Sequence, residues 1–299
     1  MTATAMSCAV LGISGVPVLV EADVANGLPS FTVVGLADRA IFEARERVRA
    51  ALRNAGFGLP AQRVTVNLAP AELPKEGSGF DLSMALAILC TEREQLRLDG
   101  IACIGELALD GRVRPVAGVL AMARCLAAHG VRQLLVAAEN GAEAALVDRL
   151  HVVGVEHLTG AVAHLEGRVE LPMATPMKAT TGAPEPDIAE IRGQATAKRA
   201  LEIAAAGGHN VLLLGPPGAG KTMLARAFAS LLPDLEPEDA LEVAALYSLK
   251  GRLADRSATS LRPPFRAPHH SVSRAGLVGG GSGLAQPGEI SLAHPSVTL

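Results

Sequence analysis

Residues 210–222 read Asn-Val-Leu-Leu-Leu-Gly-Pro-Pro-Gly-Ala-Gly-Lys-Thr, and this stretch decides the fold of the C-terminal part of the chain. An apolar run, a G-x-x-x-x-G-K-T loop and a helix-forming run at 223–232 follow in the order strand, phosphate loop, helix. Glycines in such a loop let backbone N–H groups turn toward an anion at the helix N-terminus. The lysine can reach the β- and γ-phosphates, and the threonine hydroxyl can ligate Mg²⁺. The sequence therefore predicts a site for ATP or ADP with Mg²⁺, in which Thr222 is the metal ligand, formed by Gly215, Pro216, Pro217, Gly218, Ala219, Gly220, Lys221 and Thr222.

Nucleotide hydrolysis needs further groups, because an acid must hold the Mg²⁺ and a second acid or polar group must orient water. The acids that follow the loop helix lie in a polar, helix-like stretch and not at the end of an apolar strand: Glu236, Glu238, Asp239 and Glu242. We interpret them as a solvated helix face. The sequence thus predicts nucleotide binding without a Walker-B acid.

Composition excludes several classes of function. The chain has 299 residues, of which 49% are hydrophobic, and its net charge of −3 provides no global positive field for nucleic acid. Only 2% of the residues are aromatic, so few side chains are available to stack on single strands. No stretch approaches the roughly 18–20 apolar residues of a membrane span, and the first ten residues lack the basic region of a secretory signal. We therefore expect no membrane partner.

The four cysteines predict a reducing compartment. They lie in apolar segments without C-x-x-C spacing, so we interpret them as small buried hydrophobic residues: Cys8, Cys90, Cys103 and Cys125. We expect the protein to be cytoplasmic.

The chain divides by composition into two α/β blocks. Strands are predicted at 16–24, 31–34, 64–68, 134–137 and 152–155, alternating with Ala/Leu/Arg stretches of helical period. A proline-rich linker is predicted at 167–187, between a first domain at 1–166 and a second domain at 188–299. In the second domain we predict a helix at 193–206 and strand fragments at 289–293 and 297–299.

Longer motifs resemble one family over nearly the whole chain. The second domain carries GQATAKRALE at 193–202, PFRAPHHS at 264–271, GGGS at 279–282 and PGEISLAH at 287–294; the first carries NGLP at 26–29, VNLAP at 66–70 and LPKEG at 73–77. The chain resembles the magnesium-chelatase-like AAA+ ATPases of the ComM/YifB family. This resemblance implies a Lon-protease-like first domain and a P-loop AAA+ second domain. It also implies, for the full-length protein, a hexameric ATP-driven helicase or branch-migration motor on DNA in natural transformation and recombination.

The resemblance also implies what lies beyond these 299 residues. Family members continue from the position of Val297 into a strand ending in the Asp-Glu pair of Walker B, then into sensor, arginine-finger and lid elements. We therefore expect a C-terminally truncated, incomplete AAA+ domain that binds ATP and does not hydrolyse it. Two alternatives remain: a non-enzymatic interaction or assembly module, and the ATPase subunit of a metal chelatase.

The first domain retains the landmarks of a Lon protease without its catalytic pair. Lon enzymes use a Ser nucleophile and a Lys base near a P-K-[DE]-G segment and a G-E-[IL]-x-L-x-G-x-V-x-P segment, found here at 74–77 and 105–115. The Lon pattern places Gly79 at the nucleophile position, one residue after Ser78, and Met122 at the position of the lysine. A proteolytic dyad is not supported, and we interpret the domain as a scaffold.

Weaker signals leave two interpretations each. Arg45, Arg49 and Arg53 recur at helical spacing within 38–54, either as a solvated face or as a surface for DNA or a neighbouring subunit. Arg266 and the pair His269-His270 either contact DNA or a neighbour, or fix a loop. The two histidines lack a third ligand at the spacing that a metal site requires.

Overall fold

A computed structural model describes residues 2–35, 39–177, 186–253, 260–280, 286–294 and 297–298. The chain forms two compact units, Met1–Met177 and Lys178–Leu299. These are called unit 1 and unit 2 below.

A seven-stranded sheet organises unit 1. Its strand order is β3-β4-β2-β1-β5-β8-β9, and a separate pair, β6-β7, forms a short hairpin. The bounds are β1 Thr2–Leu11, β2 Ser14–Ala25, β3 Ser30–Val34, β4 Arg63–Ala69, β5 Ile101–Ile104, β6 Glu106–Leu107, β7 Val113–Arg114, β8 Gln133–Ala137 and β9 His151–Val155. β2 is antiparallel to β1 and β4, and every other neighbouring pair in the large sheet is parallel. The five strands predicted from β-branched runs are confirmed.

Helices cover the sheet of unit 1: α1 Arg39–Asn54, α2 Asp81–Glu92, α3 Val119–Ala128, α4 Ala138–Ala144 and α5 Leu158–Leu165. Side chains alternate between the faces of a strand, so Ala5 and Ala9 of β1 point to one face and Cys8 to the other. Ala5 and Ala9 belong to a buried core with residues of α1, α2 and α5. α3 also packs on β1 and β2. Both faces are buried along β5, β8 and β9, whose strands are nearly continuously apolar, whereas buried and more exposed residues alternate along β2, β3 and β4.

Part of the predicted linker is attached to unit 1. Met173 forms a bridge with Val153, the Ala174 amide donates to Val152 O over 2.8 Å, and the Met177 amide donates to Ala142 O over 3.0 Å. Residues 178–185 of the predicted linker lie outside the described residues, and Asp187 at its end caps the 3₁₀ turn of unit 2. The backbone bonds extend unit 1 through Met177.

Unit 2 is mainly helical over its described residues. It contains a 3₁₀ turn at Ile188–Glu190 and the helices α6 Ala195–Gly207, α7 Lys221–Ala229, α8 Pro237–Leu249, α9 Arg274–Val278 and α10 Glu289–Ala293. Two ladders of two residues accompany them: β10 Phe265–Arg266 with β13 Val297–Thr298, and β11 Gly279–Gly280 with β12 Gln286–Pro287. A small core joins Ile191, Leu201, Leu224 and Ala227.

Two predicted strands of unit 2 are wrong. Residues 210–214 have no strand pairing among the described residues, and Leu212 and Leu214 are 81% and 84% exposed. A strand needs a neighbour to satisfy its backbone groups, and the described part of unit 2 provides none there. Residues 289–293 form helix α10, whose Leu292 and Ala293 are buried. The predicted helices at 193–206 and 223–232 are observed as α6 and α7, within a few residues of the predicted bounds.

No helix in the described ranges combines the length and hydropathy that crossing a bilayer requires.

Candidate functional site

The predicted phosphate loop forms a tight turn that leads directly into α7. Gly218 and Gly220 adopt φ values of 82° and 81°, in the left-handed region that favours glycine. The Ala219 amide donates to Pro216 O over 3.3 Å, which closes the turn, and Gly220 is the N-cap of the helix. A Cβ added at Gly218 would meet no atom within 4 Å, so the loop is open around this position. The glycines therefore serve the backbone conformation and are not required by crowding.

The Lys221 side chain lies across its own loop. Its Nζ donates to Gly215 O and to Pro216 O, each over 2.9 Å. Carbonyl oxygens are neutral acceptors, so the ammonium charge meets no carboxylate in these two bonds. A stronger anionic acceptor could therefore replace them.

The N-terminus of α7 presents a second set of donors. The Leu224 amide makes the first i→i−4 bond, to Gly220 O over 2.9 Å, so the amides of Lys221, Thr222 and Met223 precede the regular ladder. The first turn of α7 contains no acidic residue, and Thr222 is exposed. This arrangement suits an anion, because the amides and the helix dipole both favour negative charge.

The loop is supported from α6. Gln194 Nε2 donates to Ala219 O over 3.3 Å, and Leu201 of α6 packs with Leu224 of α7 in the small core of unit 2. Gln194 itself has a positive φ of 54°, which is uncommon for a residue other than glycine. The motif GQ at 193–194 thus helps to position the phosphate loop, through the hydrogen bond of Gln194 to Ala219 O.

The acids that follow the loop are placed as predicted. Glu236, Glu238, Asp239 and Glu242 are all exposed, at the start of α8 and on its outer face. The opposite face of α8 is apolar, with Val243 and Ala244 buried. The interpretation of these acids as a solvated face is confirmed.

The Lon landmarks of unit 1 come together without a Ser-Lys pair. Ser78 donates its hydroxyl hydrogen bond to a carboxylate oxygen of Glu106, and Glu106 Oε1 lies 3.6 Å from Arg114 Nη1. Gly79 has no side chain, and Met122 is buried in α3. The Ser78 hydroxyl therefore contacts a carboxylate that is also paired with Arg114. No lysine lies at the position where a Lon protease has its base.

A lysine near Ser78 in sequence has a different role. Lys75 is fully buried, and its Nζ donates to Gly35 O over 3.1 Å and to Pro70 O. Burial lowers the pKa of this amine, against the opposing charge of Glu72. Lys75 thus joins two loops of unit 1 through their backbone carbonyls, a role that the sequence alone did not reveal.

An ion pair between the partly exposed Arg47 and the fully buried Asp81 lies beside these landmarks. Arg47 Nε and Nη2 donate to Asp81 Oδ2 and Oδ1 over 2.6 and 3.0 Å, and the Leu107 amide donates to Oδ2 over 3.1 Å. Burial raises the pKa of Asp81 to about 6, although the hydrogen bonds from Arg47 act in the opposite direction. The bond to Asp81 raises the pKa of Arg47. The pair fixes α1 to α2, and its separation of 34 positions along the chain hid it from the sequence analysis.

The basic stripe of α1 faces outward. Its arginines are exposed, and Glu46 contacts two of them, at 3.1 Å from Arg45 and 4.0 Å from Arg49. The other side of the helix is buried against the core through Ala44, Val48 and Ala51. The structure thus brings Arg45, Arg49 and Arg53 to one exposed face.

In unit 2, Arg266 has an internal partner. Two of its guanidinium nitrogens, Nε and Nη2, contact the same carboxylate oxygen, Glu289 Oε2, over 2.6 and 2.5 Å, and both side chains are about four-fifths buried. His269 and His270 stack with ring centroids 4.0 Å apart, and His269 Nδ1 lies 2.6 Å from Ser271 Oγ. These contacts favour the loop-fixing role for Arg266. Among the residues described, no group of three or more His, Cys, Asp or Glu side chains is arranged to hold a metal ion.

Comparison with known proteins relates this architecture to one class. Residues 187–299 match the family described as magnesium chelatase, subunit ChlI, and residues 20–140 match the family described as subunit ChlI of Mg-chelatase. YifB of Escherichia coli, an uncharacterized protein, is 46% identical over 292 residues, which cover 97% of this chain and 57% of YifB. The competence protein ComM of Haemophilus influenzae is 44% identical over 298 residues, which cover 97% of this chain and 58% of ComM.

These matches place the chain in the magnesium-chelatase-like class. Within that class it belongs to the ComM/YifB family. A shorter similarity extends to the archaeal Lon protease of Pyrococcus abyssi, which is 34% identical over 93 residues, or 31% of this chain and 9% of that enzyme. The chain spans a little under three fifths of the length of YifB and ComM.

Proposed function

We propose that unit 2 binds ATP or ADP with Mg²⁺ at Gly215–Thr222. The observation that carries this proposal is the geometry of Lys221, which lies at the start of α7 with its ammonium on two neutral carbonyl oxygens of the same loop. Nucleotide phosphates would replace those carbonyls, the amides at the start of α7 would hold the phosphate oxygens, and Thr222 would ligate the metal. The bound nucleotide supplies an anhydride bond whose cleavage can drive a motor.

For the full-length protein we propose an AAA+ motor that acts on DNA. Family membership supports this, together with the printed description of ComM as a competence protein. Hexamer formation, branch migration on DNA and a cytoplasmic location are parts of the same proposal. Several copies in a ring would add weak contacts together, which a net charge of −3 makes necessary.

We propose a division of labour along the chain. Residues 1–166 form a Lon-like scaffold without peptidase activity, and residues 188–299 carry the nucleotide loop of the AAA+ domain. The partners of Ser78 and the buried Met122 support the loss of peptidase chemistry. Casein cleavage that disappears in Ser78→Ala would contradict this assignment.

The proposed DNA surface of unit 1 is the arginine stripe of α1. Its exposure supports the proposal, whereas the contacts of Glu46 with Arg45 and Arg49 weaken the positive field. We expect the 299-residue chain to bind a forked duplex no more tightly than roughly micromolar, with affinity that falls as salt rises. Fluorescence anisotropy of the triple Ala variant of the stripe tests this, and nanomolar binding that the variant retains would contradict it.

We expect these 299 residues to bind ATP without turning it over. The support is the exposure of Glu236, Glu238, Asp239 and Glu242, since an acid that holds Mg²⁺ must lie beside the phosphates. A Mg²⁺-dependent phosphate release that disappears in Lys221→Ala would contradict this expectation.

A titration with a fluorescent ATP analogue in Mg²⁺ tests the binding site itself. The wild-type chain and Lys250→Ala, a control at the end of α8, should show the same saturable signal. Lys221→Ala should weaken binding by roughly tenfold or more, because a charge-assisted contact contributes about 1.5–3 kcal/mol. Equal affinities for Lys221→Ala and Lys250→Ala would refute the site. A wild-type chain that shows no saturable binding of the analogue would also refute it.

A further inference from the structure

Two cysteines from distant parts of the sequence meet on one face of the unit 1 sheet. Cys8 lies on β1 and is buried, and Cys125 lies on α3 and is half-buried. The Cys8 thiol donates to Ala9 O over 3.4 Å, and the Cys8 and Cys125 side chains are close enough to perturb each other's ionisation. His129, at the C-cap of α3, places Nδ1 3.7 Å from Cys125 Sγ and 2.8 Å from Cys125 O.

A glycine leaves the space in which the two thiols meet. A Cβ built on Gly15 of β2 would lie 2.6 Å from Cys125 Cβ and 3.0 Å from Cys8 Sγ. The first distance is too short for a real carbon contact and the second is tighter than most, so a side chain at position 15 would force the helix away from the hairpin. The close approach is therefore built into the backbone of β1, β2 and α3.

The two sulfurs have opposite acid–base character. The hydrogen bond from Cys8 is the main cause that lowers the pKa of Cys125 to about 6, and the charge of His129 adds to it. The same hydrogen bond, with burial, raises the pKa of Cys8 well above its usual range. Hydrogen bonding to Cys125 O, followed by the charge of Cys125, raises the pKa of the exposed His129. Cys125 is thus the more acidic thiol of the pair and Cys8 the less acidic one, and the His129 ring lies beside Cys125.

The other two cysteines lack this environment. Burial raises the pKa of Cys90 to about 12 and raises that of Cys103 as well, and neither has a histidine contact among the interactions of the described residues. Cys90 is half-buried like Cys125, so it provides a matched control for accessibility. The three groups around Cys125 do not form a metal site, since no such group occurs in the described ranges.

We propose that Cys125 and Cys8 form a peroxide-sensitive thiol pair, in which Cys125 is the attacking sulfur and Cys8 the resolving one. This inference is independent of the nucleotide site. The Cys125 thiolate attacks one oxygen of a hydroperoxide, the O–O bond breaks, and a sulfenic acid and hydroxide or alkoxide result. The Cys8 sulfur then attacks the Cys125 sulfur, the S–O bond breaks, and water leaves with the Cys8 proton. The two thiols lose two electrons in total, and the hydroperoxide is reduced to two waters, or to an alcohol and water.

The disulfide can be mapped directly because trypsin separates all four cysteines. Cys8 falls in the peptide 1–39, Cys90 in 76–93, Cys103 in 98–112 and Cys125 in 125–132. The full chain is treated with one equivalent of hydrogen peroxide, blocked with N-ethylmaleimide, digested and analysed by mass spectrometry without reduction. We expect peptides 1–39 and 125–132 to be joined, in the wild type and in Cys90→Ser alike.

Variants separate the two roles. In Cys8→Ser the sulfenic acid on Cys125 should persist and react with dimedone, whereas in Cys125→Ser neither product should form. Alkylation by iodoacetamide at pH 7 should be roughly tenfold or more faster at Cys125 than at Cys90, and slower in His129→Gln. The wild-type chain alone can refute the proposal, because no variant is needed to see the product. It is overturned if 1–39 and 125–132 are not joined, if disulfides form only between chains, or if Cys90 is alkylated as fast as Cys125.

Discussion

Two lysines of this chain make the same kind of contact and have different roles. Lys75 in unit 1 and Lys221 in unit 2 each donate to two backbone carbonyl oxygens. Lys75 is fully buried, whereas Lys221 is partly exposed on an open glycine-rich loop at a helix N-terminus. The comparison teaches that the hydrogen bonds alone do not identify a binding lysine. Access, and other donors that point to the same place, make the difference.

The two units also differ in how much of their apolar and polar side chains they bury. Unit 1 buries a large apolar core together with Lys75 and Asp81. Unit 2 has a small core and leaves Leu212 and Leu214, which precede its phosphate loop, exposed. The buried polar groups of unit 1, Lys75 and Asp81, are therefore expected to act on stability, and Lys221 of unit 2 on binding.

The largest expected effect contrasts a buried leucine with an exposed one. Leu68→Ala, in β4, should lower the free energy of unfolding of unit 1 by about 2–5 kcal/mol, because it removes contacts and leaves a cavity. Leu212→Ala should change the stability of unit 2 by less than about 0.5 kcal/mol. Urea unfolding followed by circular dichroism, with hydrogen exchange to assign each transition to a unit, measures both. Equal losses would show that 210–214 is packed in solution.

The second effect concerns the Arg47–Asp81 ion pair of unit 1. Asp81→Ala should cost about 2–4 kcal/mol, because Arg47 loses its partner and the Leu107 amide loses its acceptor. Asp110→Ala, which removes an exposed ion pair with Arg112, should leave the unfolding midpoint unchanged. A midpoint for Asp81→Ala that equals that of Asp110→Ala would contradict a structural role for the pair.

The third effect separates the two lysines. Lys75→Ala should lower the stability of unit 1 by about 2–3 kcal/mol, because two carbonyls, Gly35 O and Pro70 O, lose their donor. It should leave the affinity for the ATP analogue unchanged. Lys221→Ala should do the reverse, with an unchanged unfolding midpoint in the absence of nucleotide. Urea unfolding and nucleotide titration of each variant give its stability and its affinity for the ATP analogue. A loss of affinity in Lys75→Ala would contradict a purely structural role for Lys75.

The smallest effect is a pH dependence due to Asp81. Its pKa is raised to about 6 in the folded chain, so the folded state binds a proton that the unfolded state has already released above about pH 4. The resulting stabilisation is complete below about pH 4 and is lost as pH rises toward 6, by roughly 1 kcal/mol per pH unit. The difference in unfolding free energy between wild type and Asp81→Asn, measured across this range, isolates the contribution. A difference that does not vary with pH would contradict it.

Local patterns in the sequence predicted much of the fold of unit 1. Runs of β-branched residues identified β2, β3, β4, β8 and β9, because such residues favour strands in both parallel and antiparallel pairings. β1 was not specifically predicted, since Thr2–Leu11 is rich in small residues, and neither was the four-residue β5. The strand predicted at 210–214 was wrong because strand formation depends on a partner that local composition does not specify.

The candidate sites differ in how far apart along the sequence their residues lie. The sequence names every residue of the proposed phosphate loop because all its donors are contiguous along the chain, and nucleotide binding there stays a prediction. The roles of Lys75 and the Arg47–Asp81 pair were not predicted, because their partners lie between 5 and 40 positions away along the chain. For Cys125 and His129 a weak signal existed, since four positions on a helix bring two side chains to one face. The partner Cys8, on β1, could be known only from the fold.

Hydrogen exchange of the full chain with and without Mg²⁺ and ATP tests the central claim most directly. The account predicts slower exchange in peptides that cover the loop and α7, residues 215–229, because bound phosphates would hold their amides. It predicts no change in the peptides of unit 1 around Lys75. Unchanged exchange at 215–229 under saturating nucleotide, or protection confined to unit 1, would contradict the assignment of the nucleotide site to this loop.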